Sequence, residues 1–95
     1  MDRYIGVDAH SQNCTLVVVG PSGKRLKTEH VETQGTALRQ AVLSIMGRRH
    51  ICLEEGELSG WLADLFLPIA HQVGRVGRGH RQPRAPEGLT DWHWL

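Results

Sequence analysis

The chain has 95 residues, 40% of them hydrophobic, which suffices for one small packed domain and is too apolar for a fully disordered chain. Eleven Lys/Arg against ten Asp/Glu leave a net charge of +1, so no strong global field points to nucleic acid or a membrane surface. Two cysteines are too few for a secreted disulfide scaffold, no apolar run approaches the roughly 20 residues of a membrane span, and no signal peptide is visible. A cytoplasmic protein with reduced thiols is expected.

Charge is distributed unevenly. Residues 1–73 hold 7 Lys/Arg and 8 Asp/Glu, net −1, whereas residues 74–95 hold 4 Arg and 2 acids, net +2, with four glycines and two prolines. The chain therefore reads as two regions, 1–73 and an irregular basic tail, 74–95.

Tyr4-Ile5-Gly6-Val7-Asp8 is a short apolar run typical of a buried strand. A polar turn, His10 to Asn13, leads into Cys14-Thr15-Leu16-Val17-Val18-Val19, rich in β-branched residues and read as a second strand. Gly20-Pro21-Ser22-Gly23 is a turn, and Lys24 to Val31 a half-exposed third strand. A helix follows, with Thr33 or Thr36 as N-cap and Ala37, Leu38, Ala41, Val42, Ile45 and Met46 on one face. Gly47 is its natural stop.

After Arg48-Arg49, His50 to Leu53 reads as a fourth strand ending at Glu54. A second helix starts near Glu57 to Ser59, buries Leu58, Trp61, Leu62, Leu65 and Phe66, and ends at Pro68. A short fifth strand is expected within residues 69–76. From Gly77 to Leu95 neither strand nor helix periodicity is present, and poor order is expected. The fold class is α/β, in the order β-β-β-α-β-α.

Two acids are out of place. Asp8 and Glu54 each end an apolar strand, where a buried, unpaired carboxylate costs several kcal/mol. A right-handed crossover makes the first and fourth strands parallel neighbours, with their carboxyl ends side by side. Two hard oxygen donors at that spacing suit Mg²⁺ or Mn²⁺. The plainer alternative is that Asp8 closes a turn and that Glu54, Glu55 and Glu57 complement a helix N-terminus.

The remaining candidates carry less. His10, Cys14, His30, His50 and Cys52 lack zinc-ligand spacing, and the two cysteines fall inside strands as inert thiols. Trp61 falls on the apolar helix face and is expected in the core. Arg48 and Arg49 are weak nucleic-acid contacts. Arg75, Arg78, Arg81 and Arg84 resemble either a nucleic-acid-binding tail or a GC-rich reading frame out of register.

Tyr4-Ile5-Gly6-Val7-Asp8-Ala9-His10, the Val-rich hairpin, and Leu53-Glu54-Glu55-Gly56-Glu57-Leu58-Ser59-Gly60-Trp61-Leu62 together resemble the N-terminal part of DEDD transposases of the Piv/MooV insertion-sequence family, over about residues 3–73. The resemblance implies a ribonuclease-H-like (RuvC-like) fold and a Mg²⁺-dependent site that cuts and joins DNA during transposition. It makes Asp8 the first catalytic Asp and Glu54 the catalytic Glu, and it allows a guide RNA as partner.

The chain departs from the family after Val73. The basic segment, the D-x-x-D pair and the C-terminal domain with its serine are not recognisable, and Trp94 stands three residues after Asp91. The expectation is a truncated or frameshifted transposase fragment, prone to self-association and with little or no strand-transfer activity. Two rivals remain. One is a non-catalytic nucleic-acid-binding module. The other is a fragment of an actin-like or sugar-kinase phosphotransferase, which would need a Gly soon after Asp8 where Ala9 to Asn13 stand.

Overall fold

The computed structural model describes residues 1–76 and 93–94. β1 (Asp2–Ala9), β2 (Asn13–Val19) and β3 (Arg25–Glu32) form an antiparallel meander, followed by α1 (Gly35–Leu43), β4 (Arg48–Glu54), α2 (Ser59–Phe66), β5 (Gln72–Val76) and the two-residue β6 (His93–Trp94). The fold is thus α/β with a mixed sheet and two helices, in the order read from the sequence. The sheet order is β3-β2-β1-β4-β5-β6, with β4 parallel to both β1 and β5 and β6 antiparallel to β5. β5 lies within the span 69–76 expected for a fifth strand. The irregularity expected for 77–95 lies outside the described residues, apart from the bridge at 93–94.

The meander follows from its turns. Gly20 N–H donates to the Lys24 carbonyl at 2.9 Å, and Gly23 closes the turn at φ +90°. At the other end His10 N–H donates to the Asn13 carbonyl at 3.0 Å. Strand alternation then sorts the side chains. Ile5 and Val7, Leu16 and Val18, and Ile51 and Leu53 face the helices, where they pack with Leu38, Val42, Leu62 and Phe66 in one buried cluster. Gly6 and Asp8, and Cys52 and Glu54, accordingly belong to the opposite sheet face.

α1 ends at Leu43, four residues before Gly47, and Met46, expected on its buried face, lies beyond it and is 80% exposed. Further details differ from the sequence reading. The N-cap of α1 is Gln34, whose Oε1 accepts from Ala37 N–H at 2.7 Å. Thr33 instead donates its hydroxyl to the His10 carbonyl at 2.6 Å, tying the β3–α1 loop to the β1–β2 turn. Trp61 is 41% exposed and outside the core. It lies over Gly35, close enough that a Cβ there would sit 3.8 Å from its ring. Cys14 and Cys52 are buried free thiols, as expected, and burial pushes the Cys52 thiol well above its ordinary range.

The amino-terminal edge of the sheet is closed by a polar cluster. Buried His50 stacks on Tyr4 with ring centroids 4.9 Å apart, its Nδ1 2.7 Å from Gln72 Oε1 and its Nε2 2.8 Å from Asp2 Oδ1. Arg48 Nε also reaches Asp2 Oδ1, at 3.0 Å. The His50 hydrogen bond, aided by Arg48 and opposed by partial burial, holds the Asp2 carboxyl below its ordinary 3.8. A depressed folded-state value stabilises the fold above the unfolded value and is lost as pH falls through the folded one. Unfolding midpoints of wild type and Asp2→Asn, measured between about pH 6 and pH 2, should therefore converge as the solution is acidified below the unfolded value. A constant gap across that range would exclude Asp2 as the titrating group.

Candidate functional site

Asp8 and Glu54 stand at the carboxyl ends of β1 and β4. The two strands pair in parallel from Asp2↔Arg48 to Val7↔Leu53, so the two acids follow the last matched pair on adjacent strands and on one face of the sheet. Both are accessible: the Asp8 side chain is 41% exposed, and Glu54 is exposed. Accessibility removes the burial cost that made these acids anomalous in the sequence, because solvent already hydrates them.

The two loops beyond these strands enclose a cleft of about 440 Å³, walled on one side by Ala9, His10 and Ser11 and on the other by Glu54, Glu55, Gly56, Glu57, Leu58 and Ser59. The second wall is shaped by Ser59, whose hydroxyl donates to the Gly56 carbonyl at 2.9 Å and so folds the loop before α2. Asp8 is outside the wall but linked to it, since His10 Nε2 lies 3.3 Å from Asp8 Oδ1. The i+2 spacing of His10 from Asp8 is the signal in the sequence for this contact.

The donor set is hard and oxygen-rich. Accessible carboxylates on neighbouring strands are the type of donor that Mg²⁺ or Mn²⁺ takes, with water completing the coordination shell. Among the described residues no group of three or more His, Cys, Asp or Glu is placed to hold a metal ion, so the chain itself supplies at most the two carboxylates there.

Arg48 and Arg49 are at the far end of β4 from Glu54. Arg48 is paired with Asp2. Arg49 donates to the carbonyls of Ile45 at 2.9 Å, Leu43 at 3.3 Å and Ile69 at 2.9 Å, joining the end of α1 to the segment before β5. Both residues thus make structural bonds at the end of β4 remote from the cleft.

No helix among the described residues is long and apolar enough to cross a membrane. No family model, curated protein or solved structure matches this chain.

Proposed function

We propose that Asp8 and Glu54 form a divalent-cation site on a ribonuclease-H-like (RuvC-like) scaffold, of the kind DEDD transposases use to cut and join DNA. The observation that carries the reading is the parallel β1–β4 pairing, which leaves two accessible carboxylates side by side just past Val7↔Leu53. Support also comes from the β-β-β-α-β-α order and from the location of the cleft at the carboxyl ends of the parallel strands, where open α/β sheets hold their ligands. The substrate on this reading is DNA, with a guide RNA as a further partner.

Asp8 and Glu54 would hold Mg²⁺ or Mn²⁺, which when bound lowers the pKa of a coordinated water and neutralises phosphate charge. The chain's own contribution is positional. The sheet sets the two strand ends that carry Asp8 and Glu54 one strand spacing apart, about 4.8 Å between backbones, and the loops at 9–11 and 54–59 bound the space in which a phosphodiester would lie. His10, at the cleft wall and against Asp8, restricts the freedom of that carboxylate. Two carboxylates supply one ion only, so little or no strand transfer is expected from this pair alone.

Paramagnetic broadening of amide resonances by Mn²⁺ tests the reading. Broadening should centre on residues 8–10 and 54–57, and Asp8→Ala should weaken Mn²⁺ binding by about tenfold or more. Broadening centred elsewhere, or unchanged by Asp8→Ala, would remove the proposed site. In a plasmid-nicking assay with Mg²⁺, clear turnover abolished by Asp8→Ala would overturn the expectation of little activity.

A further inference from the structure

β3 forms one edge of the sheet, and among the described residues nothing pairs with its outer side. Seven of its eight residues are not buried, Val31 being the exception, and the outward-facing N–H and C=O groups of alternate residues, the Glu32 carbonyl bonded to Gln34 N–H apart, are available to a partner. Such an edge recruits another strand unless charge, bulging or cover prevents it. The charges here are arranged in two blocks. Arg25 and Lys27 occupy the first half of the strand, Glu29 and Glu32 the second. Reversing the strand direction brings the basic half opposite the acidic half, so the strand is complementary to its own antiparallel copy.

We propose that β3 pairs antiparallel with β3 of a second copy of this chain, in the register that sets Thr28 on the two-fold axis. Symmetry restricts the choices, because directly opposed residues must share a sheet face and so the axis must pass through a self-paired residue. Centring on Lys27 would oppose two lysines, and centring on Glu29 would oppose two glutamates, both unfavourable. Centring on Thr28 opposes Thr28 to Thr28 and sets Lys27 against Glu29 of the partner subunit, twice. Lys27 and Glu29 already share a face, since they pair with Val18 and Leu16 of β2 and their side chains meet at 3.0 Å within one chain. Dimerisation exchanges these two intrachain contacts, one in each copy, for two equivalent ones between chains.

The irregularity between Val18 and Val19 leaves Leu26 outside the β2 pairing and 48% exposed. In the proposed register Leu26 is opposite His30 of the partner subunit, so this apolar side chain gains cover at the interface. The sheet would run continuously through both copies, with Asp8 two strands and Glu54 three strands from β3. The interface does not depend on the cation reading.

Sedimentation velocity of the full chain over a concentration series tests the proposal. Wild type should show a reversible dimer. Lys27→Glu opposes two glutamates twice and Glu29→Lys opposes two lysines twice, so each should raise the dissociation constant by about tenfold or more. An equimolar mixture of these two variants should restore dimer, because the heterodimer opposes glutamate to lysine at all four positions. The double variant, Lys27→Glu with Glu29→Lys, should dimerise like wild type, and circular dichroism of each variant reports that its fold is kept. A wild type monomeric at its highest soluble concentration, single variants that dimerise like wild type, or a mixture no more associated than its components would each overturn the proposal.

Discussion

Phe66→Ala is expected to cost about 4 kcal/mol, the largest effect of any single truncation on α2. Phe66 is fully buried at the end of the helix and belongs to the main core cluster beside Leu62 and Val73. Its carbonyl also accepts from Ile69 N–H at 3.0 Å and Ala70 N–H at 2.9 Å, which turns the chain toward β5. Truncation removes the ring's apolar area from the core and leaves a cavity between α2 and the sheet that the backbone bonds prevent from closing. Domains of this size are stable by only about 5–10 kcal/mol, so the variant should lose about half its stability. Urea unfolding should show a lowered midpoint with an unchanged slope. Trp61→Ala on the same helix should cost about 1 kcal/mol, because its ring is 41% exposed. Equal losses for the two aromatic truncations would contradict the orientation of α2.

Gly47→Ala is expected to cost about 3 kcal/mol for a different reason. Gly47 adopts φ +100°, a conformation that L side chains rarely take, and a Cβ there would lie 2.5 Å from the Met1 carbonyl oxygen. That oxygen accepts from Arg48 N–H at 2.7 Å, so it cannot retreat without breaking the first bond of the β1–β4 pairing. Backbone strain and the displaced strand end therefore add. Gly23 separates the two contributions. Its φ is +90°, but nothing lies within 4 Å of a Cβ placed there, so Gly23→Ala should cost only the backbone strain, about 1 kcal/mol. Thermal melts of the two variants should differ by several degrees, with Gly47→Ala the lower. Equal melting temperatures would show that the Met1 strand end yields freely.

The strand and helix order was legible because each element carries its own periodicity. The Val-rich β2 and the i, i+3, i+4 pattern of Leu38, Ala41 and Val42 announce their structure without tertiary help. Asp8 and Glu54 were legible as a pair for a topological reason. An antiparallel meander followed by a right-handed crossover leaves β4 beside β1, and the register then aligns the strand ends.

Other features depended on contacts that no local pattern encodes. Gln34 caps α1 because Thr33 is drawn away to the His10 carbonyl, a bond across 23 residues. β5 lacks alternation because it lies between β4 and β6, where Gly74 is set against Cys52 and Arg75 against Leu53, so pairing sustains it where propensity does not.

Trp61 and Arg49 show the same division. Helical spacing assigns Trp61 to an apolar face, but the width of the sheet beneath decides how much of that face is covered. A basic pair before a strand suggests a surface, yet three orphan carbonyls from two distant segments converge on Arg49. Element identity, strand order and the two paired acids thus follow from residue patterning and chain connectivity, which act over short range or through a few allowed topologies. Caps, exposure at the helix rim and the bonding of Arg49 follow from which backbone and side-chain groups meet once the layers pack.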